Sequence, residues 1–307
     1  GAYVAILEES GVALYHGDGR LVELPPEDGE EKEDDADAER EERRLYPNDG
    51  LSGILPLGPR RLLVWAIGHN VYQPLTLYDP TTGERIASRD IKGFATDAAV
   101  LPGGEHFVAV TMDGALELRA SADGKRIKQL GRAALAEDAW PLLRVVDGGA
   151  TLLVLSAGCV TVLRRQASGR YTLSAELLLR ADRAHDGGDA HGAVLSSPQA
   201  ARFVLRSGPR AEVYTATGAL HGVLDLSAQP GAPPSPSAPS AAQDRPLLGA
   251  VAGSLLGLSE GGALAVYDLD RLALRGRITV DSPITAIAGD ASGFLLGTAR
   301  GDVLACR

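Results

Sequence analysis

Ala95–Leu130 reads ATDAAVLPGGEHFVAVTMDGALELRASADGKRIKQL. Four short apolar runs alternate there with three turn signals: Ala98–Leu101, then Pro102-Gly103-Gly104; Phe107–Thr111, then Asp113-Gly114; Leu116–Arg119, then Ala122-Asp123-Gly124; and finally Arg126–Leu130. Runs of this length bounded by Gly, Pro and Asp are strands joined by tight hairpins. Four such strands in 36 residues make one antiparallel meander.

The second strand of that meander recurs. Tyr3–Leu7, Leu62–Ile67, Phe107–Thr111, Leu152–Ser156, Phe203–Ser207, Leu255–Ser259 and Phe294–Thr298 give seven matches, spaced 59, 45, 45, 51, 52 and 39 residues apart. A period near 40–45 residues is that of a four-stranded blade in a β-propeller. Third strands follow at Val12–Tyr15, Leu75–Tyr78, Leu116–Arg119, Val160–Leu163, Ala211–Tyr214, Leu264–Tyr267 and Val303–Ala305. More polar fourth strands, as at Arg85–Asp90, Tyr171–Leu177, Leu220–Leu224 and Leu274–Val280, suit a partly solvated outer edge. Innermost strands precede the matches at Gly53–Leu57, Thr96–Val100, Leu142–Val146, Ala193–Ser197, Leu248–Val251 and Ile284–Ala288. Helical periodicity is nearly absent, and its best candidate is Arg132–Asp138.

The expected fold is therefore all-β: one seven-bladed β-propeller domain over residues 1–307, built of four-stranded antiparallel blades, with the first and last blades incomplete. The chain opens on a second strand and ends on a third, which predicts 26 strands and about 15–25 further residues upstream of Gly1 to supply the two missing ones at this period.

The pattern resembles the WD-repeat family and its relatives among seven-bladed propellers. Tyr78-Asp79 and Tyr267-Asp268 stand where that family often ends its third strand in Trp-Asp, and Asp113-Gly114 matches its turn between second and third strands. No Gly-His pair precedes the innermost strands, and no Trp-Asp dipeptide occurs. The resemblance implies a rigid ring that presents loops to a protein or peptide partner.

Three insertions account for the long spacings. The first, 25–50, contains Glu27–Arg44 (EDGEEKEDDADAEREERR), with eleven acidic and four basic residues. It carries most of the chain's formal charge of −10 and would attract a basic partner. The second, 180–191, brings His185, Asp186, Asp189 and His191 within seven residues, ligand types that suit zinc but at a spacing that matches no metal motif. The third, 228–245, is rich in Pro, Ser and Ala, reads as a linker-like loop, and holds Ser235-Pro236 as a candidate proline-directed phosphorylation site.

No catalytic, cofactor-binding or metal-binding residue is assigned from the sequence. It has no G-x-S-x-G elbow, phosphate loop or dinucleotide fingerprint. Cys159 and Cys306, the only cysteines, lie in or beside strands and are expected as buried free thiols of an intracellular, cytoplasmic protein. His16, His69, His106 and His221 fall at turns or strand ends. Net acidity argues against nucleic acid, although Arg60, Arg61, Arg164, Arg165 and Arg210 could form a basic face. No run of about 18 apolar residues is present to span a membrane. The leading expectation is a non-catalytic scaffold. The alternative is a propeller hydrolase or dehydrogenase with its site at the channel mouth, since such sites are dispersed in sequence. Quinoprotein dehydrogenases share repeated blades, but Trp65 and Trp140 do not recur at the blade period.

Overall fold

A computed structural model of the chain describes residues 3–8, 11–16, 22, 51–66, 74–135, 140–156, 158–178, 194–207, 210–226, 248–260 and 262–306. Insertions 180–191 and 228–245, and all of Glu27–Arg44, lie outside the described residues. The described part is all-β, with one 3-10 turn at Asp147–Gly149. The chain divides into two compact units, Gly1–Leu143 and Arg144–Arg307.

The first unit opens with β1 (Tyr3–Glu8) and β2 (Gly11–His16), an antiparallel pair. Val22 is buried and its N–H donates to the Leu14 carbonyl at 2.9 Å. A four-stranded meander follows: β3 (Leu51–Gly58), β4 (Arg61–Ala66), β5 (Leu75–Tyr78) and β6 (Arg85–Arg89). The next is β7 (Ala95–Val100), β8 (His106–Thr111), β9 (Ala115–Ala120) and β10 (Arg126–Arg132). These are the strands expected from the opening stretch, with one correction. Arg132 belongs to β10 rather than to a short helix, because β10 runs on beside β9 and pairs Arg132 with Ala115. Just past it, the Ala133 N–H bonds to the Gly114 carbonyl at 2.9 Å.

The two meanders pack face to face. Leu57, Leu63, Trp65, Leu75, Leu77 and Ile91 meet Ala95, Ala98, Phe107 and Ala109 in one buried cluster. Polar ties fix the layers: Trp65 Nε1 donates to the Thr96 carbonyl at 3.3 Å, and Arg89 Nε to the Asp123 carbonyl at 3.0 Å. Gly53 is required beneath Trp65, since a Cβ there would stand 2.2 Å from the indole.

The second unit repeats the plan from β11 (Leu142–Val146), the strand within which the division falls, through β12 (Thr151–Ser156), β13 (Cys159–Arg165) and β14 (Tyr171–Leu178). Then come β15 (Val194–Leu195), β16 (Arg202–Ser207), β17 (Arg210–Thr215) and β18 (Leu220–Asp225); and β19 (Gly249–Ala252), β20 (Leu255–Glu260), β21 (Ala263–Asp268) and β22 (Ala273–Thr279). The last sheet has three strands: β23 (Ile284–Gly289), β24 (Phe294–Thr298) and β25 (Val303–Cys306). Of the 26 expected strands, 25 are described. The remaining one, the outer strand of the first sheet, falls among residues outside the described ones apart from Val22.

The second strands β8 and β12 are buried on both faces, as continuous apolar runs such as Leu152–Leu155 require, whereas β24 alternates, with Leu295 51% exposed. Val204, Ala211 and Val213 pack on Leu256, Leu258 and Ala265. Leu264 and Val266 in turn pack on Ile284, Phe294 and Leu296. Outer strands are mostly exposed, β22 being open along nearly its whole length. The first strands of successive sheets lie side by side, β3 with β7 and β19 with β23. Repeated four-stranded meanders layered in this way are the units of propeller-like folds.

The repeat also shows in its irregularities. In the pairing of third with fourth strand, the register slips between Leu77 and Tyr78, Val162 and Leu163, Val213 and Tyr214, and Val266 and Tyr267. In the β7–β10 sheet the same slip falls between Leu118 and Arg119. A bulge at one position in five sheets aligns Tyr78, Arg119, Leu163, Tyr214 and Tyr267 as structural equivalents.

Candidate functional site

That alignment marks the place where one repeat departs from the others. Four of the five positions hold a Tyr or Leu, and the fifth holds Arg119 on a strand buried along most of its length. An arginine can be buried there only if its donors are met. Arg119 Nε and Nη2 both reach Glu117 Oε2, at 3.0 and 2.6 Å, and the two side chains are 3% and 5% exposed. Nη1 donates to the Gly124 carbonyl at 2.9 Å and Nη2 also to the Asp90 carbonyl at 3.0 Å. Glu117 turns its other oxygen to Arg126 Nη1 at 3.1 Å. The same i, i+2 step on β17 pairs Glu212 with the Tyr214 hydroxyl at 3.0 Å, so the repeat frame already provides for a carboxylate at this site.

Around this pair lies an open groove of about 680 Å³, lined by Arg89, Asp90, Ile91, Lys92, Glu117, Arg119, Lys125 and Arg126. Three segments of the first unit build it: the end of β6, the connection to β7, and the β9–β10 hairpin. Five cations face two carboxylates, and Asp123, ion-paired to Lys125 at 3.1 Å, adds a third acid at the rim. The groove is thus cationic in a chain whose formal charge is −10. Arg119 is consumed in holding the wall. Lys92, Lys125 and Arg126 are exposed, Lys125 pairing with Asp123 and Arg126 using one nitrogen on Glu117.

Three arginines of the expected basic face have partners within their own unit. Arg60 pairs with Asp79 at 2.9 Å, Arg61 Nε donates to the Ala122 carbonyl at 3.3 Å, and Arg164 pairs with Asp147 at 2.8 Å. The groove cations are others, and composition hid them. Arg89 and Lys92 are separated by 30 residues or so from Arg119, Lys125 and Arg126, and only the packing of two meanders joins them.

The acids that the family resemblance singled out close turns. Asp79 accepts from the Thr81 N–H at 2.9 Å and its hydroxyl at 2.5 Å. Although burial works against it, these bonds and Arg60 hold its carboxyl below the usual range. Asp268 accepts from the N–H groups of Asp270 and Arg271 at 2.9 and 3.0 Å. Asp113 takes the Thr111 hydroxyl at 2.5 Å, and that bond, against a burial cost, lowers its pKa with help from Ala115 N–H and Arg132.

Both cysteines are free but only half-buried, which corrects the expectation of core thiols: Cys159 sits at the hairpin end of β13 and Cys306 on the edge strand β25. Burial, and then the nearby Glu176 charge, push the Cys159 thiol up, away from a reactive thiolate. His106 begins β8, and a ring nitrogen of the exposed His221 lies 3.3 Å from the Asp270 carbonyl. His69, His185, Asp186, Asp189 and His191 lie outside the described residues. Among the described residues no group of three or more His, Cys, Asp or Glu is placed to hold a metal, and no helix is long and apolar enough to cross a membrane.

No protein-family model matches the chain, and no curated protein matches its sequence.

Proposed function

We propose that this chain is a seven-bladed, WD-repeat-like β-propeller, a single domain that serves as a non-catalytic scaffold for a protein or peptide partner. The count of seven rests on the seven second-strand matches together with the β1–β2 pair and the six sheets of three or four strands. The observation that carries the binding reading is the cationic groove. It is a concave, open surface whose wall is a buried, hydrogen-bonded Glu117–Arg119 pair, and cations outnumber carboxylates along its lining. Such a surface recognises charge and shape.

Cross-linking mass spectrometry on the full chain in its native cell extract tests the scaffold. The expected result is a stoichiometric protein partner whose cross-links fall on lysines of one face. Recovery of no partner, combined with turnover of a small substrate by the purified chain, overturns it. An experimental structure in which the β1–β2 sheet and the β23–β25 sheet are not neighbours overturns the seven-bladed ring while leaving the binding reading standing.

A further inference from the structure

We infer that the groove formed by the end of β6, the β6–β7 connection and the β9–β10 hairpin binds an extended acidic peptide, a deepening that rests on the scaffold reading above. Four observations converge on it. First, the groove lies where the third sheet breaks the repeat, with Arg119 in the place of Tyr78, Leu163, Tyr214 and Tyr267. Replacing an apolar anchor by a buried ion pair adds little stability on its own account, so it marks a place where the local rule yields to another demand. Second, the pair is held from four sides, by Gly124, Asp90 and Arg126 as well as by its own members, which makes a rigid wall ready for a ligand.

Third, the exposed cations come from two separate segments, Lys92 from the β6–β7 connection and Lys125 and Arg126 from the β9–β10 hairpin. Asp90 and Glu117 share the lining with them, while Asp123 pairs with Lys125. A phosphate draws several donors to one place. Single carboxylates spaced along a peptide match separated single cations, while the interspersed acids repel a dense polyanion such as nucleic acid. Fourth, among the described residues β10 is the outer strand of its sheet, and Ile127, 49% exposed, follows Arg126 on it, so an extended chain has a strand edge to pair with and an apolar side chain adjoining the groove residues.

The test is fluorescence anisotropy of a labelled Glu-rich decapeptide, with Ile at its centre, titrated with the full chain. We expect saturable binding that weakens several-fold between low and physiological salt. The double variant Lys92→Glu/Lys125→Glu should weaken it by about tenfold or more, since two exposed attractions become repulsions. Arg170→Glu, an exposed residue of the β13–β14 turn, should leave binding within about twofold and matches the charge change of the single groove variant Arg126→Glu. Arg126→Glu is the second groove variant, and circular dichroism melts check that each variant is folded. Absence of saturable binding, equal loss in Arg170→Glu, or displacement of the peptide by equimolar inorganic phosphate overturns the inference. If the peptide does not bind while the cross-linked partner is still recovered, the acidic-peptide assignment fails and the scaffold reading survives.

Discussion

Asp113 shows how one residue fixes a turn. It sits in the Thr111–Ala115 hairpin, takes the Thr111 hydroxyl and the Ala115 N–H, and pairs with Arg132 on β10. Because its pKa is lowered, its contribution is complete above the unfolded value of 3.8 and is lost as pH falls through the lower folded value. Asp113→Ala should therefore destabilise the chain by about 1 kcal/mol near neutrality, the net worth of the lost hydrogen bonds, with little from the exposed ion pair. Urea melts repeated at falling pH should show the gap to the parent chain closing below the unfolded value. Glycines offer a sharper contrast. A Cβ on Gly289 would stand 2.4 Å from the Val251 carbonyl oxygen of the neighbouring sheet, and backbone cannot swing aside. A Cβ on Gly276, on the exposed strand β22, meets nothing within 4 Å. Gly289→Ala should cost about 2 kcal/mol or more, and Gly276→Ala should be neutral or stabilise by up to about 1 kcal/mol. Parallel denaturant midpoints decide it, and equal effects would refute the close packing of β19 and β23.

At the scale of the strand, β9 carries the cost of its charged pair. Glu117 has Arg119 on one oxygen and Arg126 on the other. Glu117→Gln leaves the buried Arg119 guanidinium without its counter-charge and should cost about 3 kcal/mol. Replacing both partners with apolar residues, Glu117→Leu with Arg119→Tyr, restores the residue type found at the equivalent β5, β17 and β21 positions. That double variant should recover most of the stability lost in Glu117→Gln, and a double-mutant cycle measures the coupling. A single variant as stable as the parent would mean that the pair is not buried as described. The same strand explains why the groove was hard to foresee. Glu117 and Arg119 alternate with Leu116 and Leu118, and in sequence this reads as an ordinary half-solvated strand with its polar side outward. The connection after β6, arriving with Asp90, Ile91 and Lys92, meets that side, where the Asp90 carbonyl accepts from Arg119.

Across the whole molecule, the burial pattern predicts an order of local opening. Second strands such as β8 and β12 are covered on both faces, whereas β14, β18 and β22 are solvated. Native-state amide exchange should be slowest in β8 and β12 and fastest in the outer strands. Uniform exchange across each meander would contradict the layered packing. Val303, 74% exposed on the edge strand β25, belongs to the same picture, since its sheet has three strands where five others have four. The sequence by itself determined the strands, their order within each meander and the turns between them. Those depend on local alternation of apolar runs with Gly, Pro and Asp, and a hairpin closes within a few residues of its own signal. What only the tertiary structure decided is which distant residues share a surface. Arg89 and Lys92 meet Arg119, Lys125 and Arg126 because consecutive meanders stack face on face, and that contact is set by summed burial across two layers, which no single stretch encodes.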